Sequence, residues 1–138
     1  PGGVALVTTP NINKTLTRNP WHIREYTPEQ LISLGKEVFD EVEMKGIAGN
    51  EKVMAYYNMN REAVKKITRF DVFNLQYRLP AALLRIPYDV LNRFNRNNLK
   101  ESDDSLVKSI THDDYILTDD ASDALDLFCV LRKRQEAL

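Results

Sequence analysis

The chain has 138 residues and a mass of 15.9 kDa, the commonest size for one compact domain. Hydrophobic residues make up 43% and charged residues 28%, which excludes wholesale disorder and collagen-like repetition. The formal charge of −1 gives the whole molecule no general attraction to nucleic acid or anionic lipid, and a single cysteine, Cys129, excludes an internal disulfide. Charged side chains interrupt every apolar run, so the sequence predicts no transmembrane span.

The first twenty residues predict an extended N-terminal arm. They contain Gly2, Gly3, Pro10 and Pro20 and lack helical spacing of apolar side chains. We therefore expect an arm over residues 1–20 and a single helical domain over residues 21–138.

Two helices are predicted after the arm. Thr27 can cap a helix that begins at Pro28, and an apolar face follows at +3 and +4 spacing until Gly46 provides a stop. Asn50 can cap a second helix with its own apolar face.

The middle of the chain predicts further helix. Residues 70–79 fit a strand or a helix, and the helical neighbours favour a helix. Pro80 can open the next helix, Pro87 is expected to kink or break it, and a short helix is predicted over residues 105–110.

The terminal segment from Thr118 to about Gln135 predicts a helix, since aspartates crowd its start and basic residues its end. Its middle is apolar on most sides, which indicates either a central helix or a helix that binds a partner. On the second interpretation, Leu127 and Val130 are candidate partner-binding residues. The predicted fold is therefore all-α, a small bundle of four to five helices with an extended N-terminal arm.

Charge is segregated along the chain. Residues 61–100 carry nine basic and three acidic residues, a balance of +6, whereas residues 101–127 carry one basic and nine acidic residues, a balance of −8. If residues 78–96 formed one helix, four arginines would share one side of it: Arg78, Arg85, Arg93 and Arg96. This stripe fits a solvated face, an acidic protein partner, or a nucleic acid or anionic lipid.

No motif in the sequence predicts catalysis. Acidic clusters at 103–104, 112–114 and 119–120 lack the spacing of a calcium loop and are explained by helix capping. Cys129 lies among apolar residues, which favours an unreactive thiol. We expect no catalytic residue, no cofactor and no metal site, and hence a protein that is not an enzyme.

Segregated charge and missing catalytic motifs favour a protein that works by contact. We expect a non-catalytic structural or accessory subunit of a larger multiprotein complex, whose partners are other protein subunits. An intracellular, mitochondrial energy-converting complex is one host, by analogy with small accessory subunits in general. The alternative is a helical nucleic-acid-binding protein that uses the basic block 61–100, although nucleic acid is the less favoured partner.

Overall fold

A computed structural model describes residues 2–69, 71, 73–102 and 104–134. The chain divides into two compact units. Unit 1 comprises residues 1–15, 24–49 and 115–138, and unit 2 comprises residues 16–23 and 50–114. Both units therefore contain residues from either side of the boundary predicted at residue 20.

Unit 1 is built on a four-stranded antiparallel sheet, so the prediction of an all-α fold is wrong. The strands are β1 (Gly3–Pro10), β2 (Glu41–Gly49), β3 (Tyr115–Thr118) and β4 (Asp126–Lys133), in the order β1-β4-β2-β3. One helix, α1 (Pro28–Lys36), connects β1 to β2 and packs on the sheet. With 25% strand and 46% helix, the chain has a mixed α/β fold.

Of the extended arm predicted over residues 1–20, Gly3–Pro10 form the strand β1. This strand pairs with β4 along its whole length, from Gly3 opposite Lys133 to Pro10 opposite Asp126. The backbone groups on the side that faces β4 thus take part in the sheet of the same chain.

The two faces of the sheet differ because successive strand residues point to opposite sides. The face that carries α1, called the α1 face, holds Leu127, Cys129 and Leu131 of β4, which are buried with Leu31 of α1 and with Ala121. The opposite face, called the open face, carries the alternate residues, and no described helix of unit 1 packs on it.

The predicted terminal helix is wrong, because its apolar middle forms β4, the strand between β1 and β2. An apolar run of this length fits a strand covered on both faces as well as a buried helix, and spacing alone does not separate them. The aspartates read as a helix start instead lie in the β3–β4 loop, residues 119–125. The predicted end at Gln135 lies outside the described residues.

The first predicted helix begins as expected and ends early. Thr27 accepts a hydrogen bond from the Gln30 amide, and the Gln30 side chain accepts one from the Thr27 amide. The helix ends at Lys36, and β2 follows, so Gly46 lies inside a strand and is not a helix stop.

Gly46 is required by a close approach of the β3–β4 loop. A Cβ at this position would lie 2.9 Å from the Asp120 carbonyl oxygen, 3.0 Å from the Ala121 Cα and in collision with the Ala124 Cβ. The glycine thus allows the loop to pack directly on β2.

Unit 2 is helical in the part that the structure describes. Its helices are α2 (Glu51–Thr68), α3 (Leu75–Arg78), α4 (Ala81–Ser102) and α5 (Asp104–Ser109), followed by a 3₁₀ turn at His112–Asp114. The Asn50 side chain accepts hydrogen bonds from the amides of Lys52 and Val53, which confirms the predicted cap of α2. The helix predicted over residues 105–110 corresponds to α5.

Two predictions for the middle of the chain need adjustment. The ambiguous segment 70–79 contains the single turn α3, with Phe70 and Val72 outside the described residues. Pro87 was expected to kink or break the helix, and α4 continues through it without a break.

Candidate protein-interaction surface

Helix α4 packs against other helices of unit 2 through one of its sides. It contacts α2 and α5, and its Asn95 amide donates to the Asn60 side-chain oxygen of α2 at 2.7 Å. Asn95 is buried, and Leu84 and Tyr88 on the same side are half-buried. An amide pair lies where an apolar contact is usual, so this side is fixed by a hydrogen bond as well as by packing.

The apolar residues of α4 lie on another side of the helix and are exposed. They recur at +3, +7 and +11, which places them in one row over three turns. We call this row the α4 apolar stripe; its members and their exposed fractions are Leu83 (64%), Ile86 (78%), Val90 (63%) and Phe94 (61%). A row of large apolar side chains turned to solvent is typical of an interaction site.

Three of the four predicted arginines lie on α4. The 100° turn per residue places Arg93 beside Ile86 of the α4 apolar stripe, and it places Arg85 and Arg96 further round the helix, between the stripe and the packed side. Arg78 instead ends α3, because Leu79 is extended and Pro80 separates the two helices. The four residues therefore do not form one stripe.

These arginines have no carboxylate partner among the described residues. The Arg85 guanidinium lies 4.5 Å from the centre of the Trp21 ring, and the Trp21 indole donates to Asp89 at 3.0 Å. Arg85 thus has an aromatic contact, while Arg93 and Arg96 are exposed.

The two predicted partner-binding residues of the terminal segment lie in β4 on opposite faces. Leu127 has no exposed surface and packs in the core on the α1 face. Val130 is 9% exposed and lies on the open face between Leu6 of β1 and Glu43 of β2. The two candidate partner-binding residues therefore do not share one surface.

The described residues contain no group of three or more His, Cys, Asp or Glu side chains arranged to hold a metal. Asp103, in one of the acidic clusters, lies outside the described part of the chain.

Burial raises the pKa of the Cys129 thiol, so its nucleophilic thiolate is disfavoured.

No described helix has both the length and the apolar character that crossing a membrane requires.

Comparisons with protein-family models, with curated proteins and with solved structures give no match to this chain.

The sequence contained the signal for the α4 apolar stripe, and its orientation could not be read from it. The spacing of Leu83, Ile86, Val90 and Phe94 predicts an amphipathic helix, and the usual inference is that such a row faces the core. In this chain the buried side carries Asn95, which the spacing does not single out.

Proposed function

We propose that this protein is a non-catalytic subunit that binds another protein through α4. The observation that carries the proposal is the outward orientation of the α4 apolar stripe beside arginines that lack carboxylate partners. The predicted mitochondrial host stays a prediction, because no described contact bears on it.

The chemistry of the surface defines the partner. Leu83, Ile86, Val90 and Phe94 span about 16 Å, since each helical residue rises about 1.5 Å, and this length suits the apolar side of a helix. Phe94 supplies an aromatic anchor of the kind that dominates interface energies. Carboxylates on the partner would pair with Arg93 and Arg96, so we expect an amphipathic, acidic helix.

Two other partners fit the surface less well. A lipid-binding helix usually carries many basic residues on its polar side, whereas the sequence of α4 has four basic residues (three arginines and Lys100) and two acidic ones, Asp89 and Glu101. A nucleic acid would use the arginines and leave the apolar stripe in water. The experiment described next distinguishes a lipid or a nucleic acid from a protein partner.

The test compares three single variants by affinity purification from native extract. Ile86→Glu places a charge in the stripe and Arg93→Glu reverses a bordering charge, while Val38→Glu changes a residue of unit 1 that is 60% exposed. We expect a stoichiometric partner protein to be lost with the first two variants and retained with Val38→Glu.

Charge exchange then identifies the contact. An Asp→Arg or Glu→Arg variant of the partner should restore binding to Arg93→Glu and not to Ile86→Glu. The proposal is overturned if both α4 variants retain the partner. It is also overturned if the arginines mediate binding to phosphatidylserine vesicles, or to RNA with a steep salt dependence, while no protein binds.

A further inference from the structure

The outer edge of β1 is the feature of unit 1 that its own fold does not use. Strand β1 is an edge strand of the sheet, because it pairs only with β4. The neighbouring residue Tyr26 covers the edge at Asn11 and Ile12, where the Ile12 amide donates to the Tyr26 carbonyl. Along Gly3–Pro10, no described residue forms a hydrogen bond to the outer edge.

The register shows which backbone groups point outward. The Asn11 amide donates to the Leu125 carbonyl at 3.1 Å, one step beyond the pair of Pro10 and Asp126. Bonded and non-bonded pairs alternate in an antiparallel ladder, so odd-numbered residues of β1 bond to β4. The amides and carbonyls of Val4, Leu6 and Thr8 therefore point away from the sheet, as does Pro10, whose missing amide leaves the ladder intact.

From Gly3 to Thr9 this edge lacks the features that normally prevent strand pairing, and its one proline, Pro10, is the last residue of the strand. Its eight residues include no charged side chain, and the register with β4 contains no bulge. Val4 and Leu6 are each 64% exposed. Exposed edges are usually blocked by lysine, by proline within the strand or by a bulge, because an open edge recruits another strand.

We propose that β1 pairs antiparallel with β1 of a second copy of this chain, on a twofold axis at Leu6. In this register Leu6 lies opposite Leu6 of the second copy, and Val4 lies opposite Thr8. By symmetry Thr8 also lies opposite Val4. All three pairs can exchange both hydrogen bonds, because none of these residues is proline. On the α1 face, small Ala5 lies opposite the larger Val7, so the strand is complementary to itself.

The self-complementary pattern is the reason for choosing a second copy as the occupant. A twofold interface uses the same residues from both subunits, and an uncharged strand meets its own copy without repulsion. The pairing joins two four-stranded sheets into one of eight strands with both α1 helices on the same face.

Sedimentation over a concentration series, with hydrogen exchange at low and high concentration, tests the pairing in the full chain. We expect a concentration-dependent dimer in which the amides of Val4, Leu6 and Thr8 gain protection. The amides of Ala5 and Val7, already bonded to β4, should be protected at both concentrations. A chain that stays monomeric, or a dimer without protection at the even-numbered amides, overturns the proposal.

Variants at the axis test the register. Leu6→Lys places two ammonium groups opposite each other and should weaken dimerisation by roughly tenfold or more while circular dichroism stays unchanged. Leu6→Glu should act likewise, and an equimolar mixture of the two should restore a heterodimer. Leu117→Lys is the matched control, since Leu117 is a 54% exposed open-face residue of β3, and it should dimerise like the wild type.

These variants separate edge pairing from other modes of association. If Leu6→Lys dimerises like the wild type, or if the mixture forms no heterodimer, the register at Leu6 is wrong. If Leu117→Lys abolishes the dimer, the open faces pack on each other and edge pairing is overturned.

Discussion

Asn11 is the residue on which the β3–β4 loop depends. Its side chain has no exposed surface, and its amide donates to the carbonyls of Ala121 at 3.1 Å and Ala124 at 2.9 Å. Its side-chain oxygen accepts from the Asn13 amide at 3.1 Å. One asparagine thus satisfies buried carbonyl groups of the loop that packs on Gly46.

Asn11→Ala should destabilise the protein by roughly 1 to 3 kcal/mol, because buried carbonyls lose their donor without access to water. Denaturant unfolding followed by circular dichroism measures this loss. Asn13→Ala, at an exposed neighbouring position, is the control and should have little effect. Equal stability of the two variants would show that the loop is held without the Asn11 amide.

Asp114, the last residue of the helical segment 50–114, forms hydrogen bonds with Asn50, the first residue of that segment, and with Thr111. Its carboxylate accepts from the Thr111 amide at 2.8 Å and the Asn50 side-chain amide at 2.7 Å, and Lys52 lies at 3.2 Å. These groups, the Thr111 amide first, lower the pKa of Asp114 from 3.8 to about 2. The folded state thus favours the ionised form.

Acidification should therefore destabilise unit 2 through Asp114. Because its pKa is lower in the folded state, the unfolded chain takes up the proton first, and the stabilisation present above about pH 4 is lost as the pH falls toward 2. Thermal melts over this range should depend less steeply on pH in Asp114→Asn than in the wild type. Asp113→Asn, at a side chain that is 82% exposed, should keep the wild-type slope. If both variants match the wild type, Asp114 does not contribute to the pH dependence.

At the scale of the element, α4 contains a proline that its packing does not require. Pro87 is exposed and lies in the interior of the helix, where it has no amide to donate to the Leu83 carbonyl. The helix nevertheless continues through Pro87, and beyond the proline Asn95 donates to Asn60 of α2.

Pro87→Ala should stabilise unit 2 by up to about 3 kcal/mol, since it restores a helical hydrogen bond and removes a steric clash. Slower hydrogen exchange across α4 and a higher Tm would measure the gain. Ala82→Gly, at an exposed position near the start of the same helix, should change stability in the opposite direction. A lower Tm for Pro87→Ala would mean that the proline ring makes a stabilising contact.

Helix starts could be predicted from the sequence because they depend on local chemistry. Thr27 and Asn50 bind the first amides of their own helices, so the residues that decide the structure are adjacent in the chain. Strands depend on distant partners. In β2, Val42 and Met44 alternate with Glu41 and Glu43, yet Val42 also continued the helical spacing of α1.

The candidate site was predictable only in part. Arg85, Arg93 and Arg96 lie on one helix as expected, because helical spacing is local. Leu127 lies in the core, since β4 is flanked by β1 and β2, which are distant in sequence. The exposure of the α4 apolar stripe could not be predicted, because it depends on which side of α4 contacts α2.

At the scale of the whole molecule, a helical segment is inserted between two neighbouring strands. Gly49 at the end of β2 lies opposite Tyr115 at the start of β3, and residues 50–114 leave and return at this point. The Asn50 amide donates to the Asp114 carbonyl at 2.9 Å, which joins the first and last residues of this segment. Residues 50–114, which include α4, thus lie between β2 and β3 in the sequence, and the two strands still pair.

Photo-crosslinking in native extract shows whether α4 binds a protein through its outward side, which is the claim on which the proposed function rests. Benzoylphenylalanine is placed singly at Leu83, Ile86, Val90 and Phe94, and at Leu84 and Tyr88 on the packed side of the helix. We predict one partner protein crosslinked at the four outward positions and at neither packed position. Crosslinks of equal yield at all six positions, or no protein adduct at any outward position, would contradict the claim.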